Sequence, residues 1–272
     1  MNVDRQQHRL DGGRSVTHLE SANRGDKFAP GLPDTIIIHF TAGASAESAI
    51  QTLCDPAREV SAHLVVGRDG TVSQLLPFDT VGWHAGRSRW QNRTSLNQHS
   101  IGIEVDNAGR LAETDGVRYL SWFGREYEED QVVRAVHRNE SAPSCWHRFP
   151  AAQIDDVESL CRLLIDAYGI SSILGHEEIA PDRKEDPGPA FPLDEMRQRL
   201  LAPQGDVPSA DIGVVTAARL NIRQQPAASE PTVAGHLKRG TPVRIVGRKR
   251  GWLNVKVELE GWVSERYIDE ET

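Results

Sequence analysis

Between Gly175 and Phe191 the chain places His176, Lys184 and Asp186 on a short loop stiffened by Pro181, Pro187, Gly188 and Pro189. Neutral imidazole and carboxylate are both good ligands for a divalent metal such as zinc, and the prolines limit the freedom of the backbone that carries them. Lys184 and Asp186 stand two apart, so in extended backbone they point to one side. An ammonium then lies beside a candidate ligand, where a developing oxyanion needs positive charge. Taken singly, His176 and Asp186 read as surface groups. A second histidine changes that reading. His39 ends the apolar run Thr35-Ile36-Ile37-Ile38-His39-Phe40, and His176 ends the shorter run Ile173-Leu174-Gly175. Two strand-end histidines with Asp186 give three ligands and an open fourth position, the pattern of a catalytic rather than a structural zinc. For His39 alone, a satisfied core histidine is the competing reading.

Glu104 interrupts the apolar run Ser100-Ile101-Gly102-Ile103-Glu104-Val105. A charge there is costly to bury unless it is paired. It reads either as a salt-bridged edge acid or as a general base aimed at the attacking water.

These side chains need elements to hold them. The β-branched run from Thr35 to Phe40 predicts a strand buried on both faces. A helix from about Ser45 to Cys54 follows, with Ser45 as N-cap and Glu47 in its first turn. Strand-like runs around Arg68-Asp69-Gly70 predict a hairpin that carries His63. Val81 to Gly86, with Trp83 and His84, reads as a loop lining a cleft. Apolar residues recur with helical spacing from about Pro150 to Tyr168, where Gly169 is a natural stop, and a short helix is expected from Pro192 to Leu201. Residues 1–33 read as an irregular lead-in. Residues 107–149 read as a long, less regular excursion placed to wall the cleft, with His137 and His147 as non-ligands.

The last 62 residues change character after the linker-like stretch 202–210. Short strand-like runs at 213–215, 220–223, 242–246, 252–257 and 261–263 predict a small β-barrel, a binding or packing module without clustered His, Asp and Cys. The domain reading is therefore 1–201, with its core at about 34–201, then the linker 202–210 and a module at 211–272.

The 272 residues carry a net charge of -8, which argues against nucleic acid as a partner. No apolar run approaches the ~20 residues of a membrane span. The polar first 30 residues show no secretory signal, so the expectation is synthesis in the cytoplasm, then action there or outside it after release or delivery by another route. Cys54, Cys145 and Cys161 read as free thiols that fill apolar space.

Several pieces resemble, in order, the zinc-dependent N-acetylmuramoyl-L-alanine amidases, a family that includes anhydro-muropeptide amidases, phage lysozyme-like amidases and peptidoglycan recognition proteins. They are Ile37 to Thr41, Ser61-Ala62-His63 with Arg68-Asp69-Gly70, Gly82 to Gly86, Ser100 to Glu104, and Gly175-His176 through Lys184 to Gly188. The resemblance implies an α/β fold, a mixed central sheet flanked by helices. It implies a Zn2+ cofactor on His39, His176 and Asp186, Glu104 as base and Lys184 as oxyanion stabiliser. His63, Trp83 and His84 would line the substrate cleft, and the substrate would be peptidoglycan or a muropeptide. Asp182 departs from the glycine often found there. The C-terminal segment resembles bacterial SH3 domains through Leu220 to Arg223, Gly240 to Val243, Gly251-Trp252 and Gly261 to Val263; such domains often bind cell-wall peptide.

Overall fold

The computed structural model describes residues 1–11, 16–114, 118–201, 212–224, 226–227, 230–233, 236–249 and 252–257. Two compact units divide the chain, Met1–Ala202 and Pro203–Thr272.

The first unit is built on a six-stranded sheet in the order Ser172–Gly175, Thr35–Phe40, Ser100–Val105, Leu64–Val66, Val72–Gln74, Val16–His18. The first four strands run parallel, the next is antiparallel to its neighbour, and the edge strand is parallel again. The fold is thus α/β with a mixed sheet. All six residues of Thr35–Phe40 are buried, as a strand covered on both faces requires.

Alternation divides the two faces. Ile36, Ile38 and Phe40, with Ile101, Ile103 and Val105, share one core with Val157, Leu160 and Leu164 of the helix Ala151–Tyr168 and Met196 of the helix Leu193–Leu201. Ile37 points the other way, into a smaller cluster with Ala85, Leu96 and Leu174. His39 shares that second face. The register pairs His39 with Glu104 and Ile38 with Gly175, so His39, Glu104 and His176 gather at the carboxyl ends of three adjacent parallel strands. That edge is where open α/β sheets bind ligands.

Local signals hold the frame. Ser45 caps the helix Ala46–Cys54 through a reciprocal pair with Ser48. Gly169 ends the Ala151–Tyr168 helix at φ 70°, a left-handed conformation that favours glycine.

Two expectations are corrected. The lead-in contains strands at Asn2–Asp4, Arg9–Asp11, Val16–His18 and Arg24–Lys27. Each is only three or four residues long, so the pairing partner supplies the order that composition does not show. Likewise, the 107–149 excursion forms a five-stranded antiparallel sheet from Arg110–Thr114, Arg118–Leu120, Glu126–Tyr127, Val132–Val136 and Pro143–His147. Its own small core holds Leu111, Tyr119, Tyr127, Val132 and Cys145.

In the second unit, Pro242–Lys249 pairs with both Ile212–Val214 and Trp252–Lys256, and Arg219–Leu220 pairs with Leu237–Lys238. Val215, Leu237, Val243 and Ile245 form its core. The linker at 202–210 and the strand expected at 261–263 lie outside the described residues. Among the described residues no helix is long and apolar enough to cross a membrane.

Candidate metal centre

Nδ1 of His39, Nδ1 of His176 and Oδ2 of Asp186 form a triangle with edges of 2.9, 2.9 and 3.0 Å. All three side chains are buried, and together they could hold a metal ion.

The contacts behind the rings set which nitrogens face inward. His84 Nε2 lies 3.2 Å from the carbonyl oxygen of Ser100. A carbonyl only accepts, so Nε2 carries the proton and His84 Nδ1 is an acceptor. That acceptor lies 3.1 Å from His39 Nε2, which therefore donates and leaves His39 Nδ1 with a bare lone pair. His176 Nε2 donates to the Ala85 carbonyl at 3.2 Å, leaving its Nδ1 in the same state. Two lone pairs and a carboxylate oxygen then face one another, an arrangement that a cation between them stabilises. Zinc takes such nitrogen and oxygen ligands at about 2.0–2.2 Å in tetrahedral geometry, which spaces ligand atoms about 3.3 Å apart. The observed triangle is a few tenths of an ångström tighter and fits with a small adjustment.

Burial keeps the His39 and His84 rings neutral, the state a metal ligand and its supporting ring require. Burial, with His176 beside it, pushes His39 down to about 4. Burial, with His39 and His63 nearby, holds His84 well below the ordinary imidazole range. The close seat of His84 depends on Gly102, where a Cβ would come within 2.5 Å of the His84 ring.

The Asp186 loop is fastened separately. The Glu177 amide donates to the Asp186 carbonyl at 2.8 Å. The buried Glu177 carboxylate meets His137 Nε2 at 2.6 Å and accepts from Arg138 Nε at 2.7 Å and the Gly188 amide at 3.1 Å. Arg183 donates through Nη2 to the carbonyl of Arg87 at 2.8 Å, tying the loop to the segment after His84. Sequence reasoning missed Glu177 and Arg183; the only local sign was an acid directly after His176.

The centre opens into a cleft of about 810 Å3. Glu104, Lys184 and Trp83 line it beside the three candidate ligands, and Trp122 and Phe123 of the second sheet form part of its wall. Glu104 Oε2 is enclosed and accepts no hydrogen bond. No arginine pairs with Glu104 among the described residues, so the salt-bridged edge acid is not what the structure contains. Burial, reinforced by Asp186 and opposed by Lys184, holds the Glu104 carboxyl well above its ordinary range.

The placement of His63 corrects an expectation. It is 0% exposed and absent from the cleft lining. Its Nε2 donates to the Thr80 carbonyl at 2.8 Å and its Nδ1 accepts from the Gly102 amide at 3.0 Å. With both nitrogens bound to backbone it braces the strand under His84 and cannot reach a substrate. His84 borders the cleft, but its nitrogens are committed to Ser100 and His39. His137 and His147 are buried and lie outside the three-ligand group.

Comparison with known proteins bears on this centre. Residues 218–269 match the bacterial SH3 domain, and residues 29–189 match the N-acetylmuramoyl-L-alanine amidase family. The 1,6-anhydro-N-acetylmuramyl-L-alanine amidase AmpD of Escherichia coli K12 is 37% identical over 144 residues, 52% of this chain and 58% of AmpD. The N-acetylmuramoyl-L-alanine amidase AmiD of the same strain is 33% identical over 173 residues, 60% of this chain and 52% of AmiD. The solved complex of E. coli AmiD with the substrate anhydro-N-acetylmuramic acid-L-Ala-D-gamma-Glu-L-Lys is similar at TM-score 0.45 and 28% identity, over 70% of this chain and 61% of that one. The chain spans little more than half the length of these two curated relatives. The amidase match takes in more than half of the 272 residues and every side chain of the candidate centre, and the chain belongs to the N-acetylmuramoyl-L-alanine amidase family.

Proposed function

We propose that the first unit is a zinc hydrolase that cleaves the amide between the lactyl group of N-acetylmuramic acid and L-alanine. The observation that carries this reading is the convergence of His39 Nδ1, His176 Nδ1 and Asp186 Oδ2 on one point, in the cleft that also holds Glu104 and Lys184. Zinc held by these three residues supplies Lewis-acid activation of water and carbonyl. Glu104 takes a proton from the attacking water and returns it to the leaving nitrogen. Its Oε2 is enclosed and accepts no hydrogen bond, and burial raises the carboxyl's pKa, which suits it to both transfers. Lys184 sets its ammonium where negative charge grows on the lactyl oxygen; loss of such a group typically costs about 100- to 1000-fold in rate. The carbon–nitrogen bond breaks, the lactyl carbon ends as a carboxylate, and L-alanine leaves as an amine. Trp83 contacts the substrate from the cleft wall.

In this reading residues 34–201 form the catalytic core, 202–210 are a linker, and 211–272 hold the protein to cell-wall peptide. The bacterial SH3 match favours intact wall as the substrate. A second reading, soluble anhydro-muropeptides, is favoured by the 37% identity to AmpD, whose name specifies that substrate. Purified sacculi and anhydro-muropeptides, digested side by side by the zinc-loaded protein, test both. Mass analysis is expected to show peptides with a free N-terminal L-alanine, and the faster substrate selects the setting. Release of such peptides from neither would overturn the amidase assignment.

A further inference from the structure

Trp122 sits at the tip of the hairpin between Arg118–Leu120 and Glu126–Tyr127 and is 77% exposed. It is nevertheless fixed. Its Nε1–H donates to the Ala42 carbonyl at 2.6 Å. Phe123 stands edge-on at 5.6 Å, with the ring planes at 89°. Arg125 of the same hairpin donates to the Ala44 carbonyl at 2.8 Å. The tip is therefore pinned at two points to the loop that leaves the His39 strand, and its indole lies in the wall of the candidate active cleft.

An indole held in one orientation has already lost its rotamer freedom, so a ligand that lands on it meets a preset surface. Its single donor is committed to Ala42, so the ring faces are what it offers: apolar and electron-rich. Such a face suits the C–H side of a pyranose ring and not the carboxylates of a peptide stem. We propose that Trp122 is a platform on which a pyranose ring of the glycan bearing the scissile amide stacks, making it a specificity-determining residue of the cleft. This inference rests on the amidase reading, which places a sugar next to the reacting lactyl group.

The test compares two substrates with one dipeptide: GlcNAc-MurNAc-L-Ala-D-Glu and the sugar-free D-lactoyl-L-Ala-D-Glu. The ratio of their kcat/KM values is expected to fall about tenfold in Trp122→Ala, the size of one aromatic stacking contact, and to be largely restored in Trp122→Tyr. A ratio unchanged in Trp122→Ala overturns the platform, whether both rates fall together or neither does. If the wild-type protein cuts neither substrate, the amidase reading fails while the platform is still tested, by titration with the peptide-free GlcNAc-MurNAc disaccharide. Binding weakened in Trp122→Ala supports it, and binding equal in the two proteins or absent from both overturns it.

Discussion

Nε2 of His39 and Nδ1 of His84 lie 3.1 Å apart, and this contact decides which nitrogen of His39 faces the centre. The chain runs from the Ser100 carbonyl through His84 to His39, so a strand residue on one side of the ring fixes the tautomer on the other. His84→Phe keeps an aromatic ring and removes the acceptor. Zinc affinity, read by competition with a chelating dye, is expected to drop about 10- to 100-fold while far-UV circular dichroism stays the same. Unchanged affinity would reduce the contact to packing.

Binding and chemistry separate at three positions. Glu104→Ala is expected to keep zinc and lose most of kcat, because its carboxylate is proposed to handle protons and not to hold the metal. Lys184→Ala also keeps zinc and loses about 100- to 1000-fold or less, through the oxyanion. His176→Ala loses zinc itself, since two ligands remain. Elemental analysis and turnover on the three proteins check this, and near-normal turnover in Glu104→Ala would remove it from the role of base.

Glu177 links the second sheet to the Asp186 loop through His137, Arg138, Gly188 and its own amide. Glu177→Ala leaves Arg138 without one partner and the buried His137 without its carboxylate. We expect a stability loss of about 3–5 kcal/mol, typical of a broken buried pair, together with weaker zinc binding. Denaturant unfolding of the chelated protein isolates the first effect. A loss of stability with full zinc affinity would show that the loop holds its shape without Glu177.

His63 predicts a pH response. Burial pushes it down to about 4 from an ordinary value of about 6.5. The folded protein therefore keeps it neutral while the unfolded chain binds a proton. Its contribution is fully present above about pH 6.5 and is lost as the pH falls from there through about 4, roughly 3 kcal/mol in all. NMR titration is expected to show the His63 ring neutral throughout pH 5–7 and stability falling below 6.5. A His63 transition near 6.5 would contradict the burial argument.

The sequence by itself determined the elements whose signals are local. Five β-branched or apolar residues, interrupted only by His39, specify the Thr35–Phe40 strand whatever lies around it, and Ser45 and Gly169 mark helix ends through their own backbone preferences. It also singled out His39, His176, Asp186, Glu104 and Lys184, because ligand and charge types at strand ends and on a stiff loop are visible without coordinates. Only the tertiary structure decided how these groups are used. The bonds that set the tautomers join residues 39, 84 and 100, and those that fasten the loop join 137, 138 and 177, distances along the chain at which no spacing rule operates. The same limit explains His63. A histidine beside an apolar run looks the same in sequence whether it opens to a cleft or spends both nitrogens on backbone, and here the carbonyl of Thr80 and the amide of Gly102 settled it. The three-residue strands of the lead-in and the short hairpin strands Arg118–Leu120 and Glu126–Tyr127 that carry Trp122 were illegible for a related reason: so short a strand takes its order from the partner that pairs with it, and that partner is chosen by the folded chain.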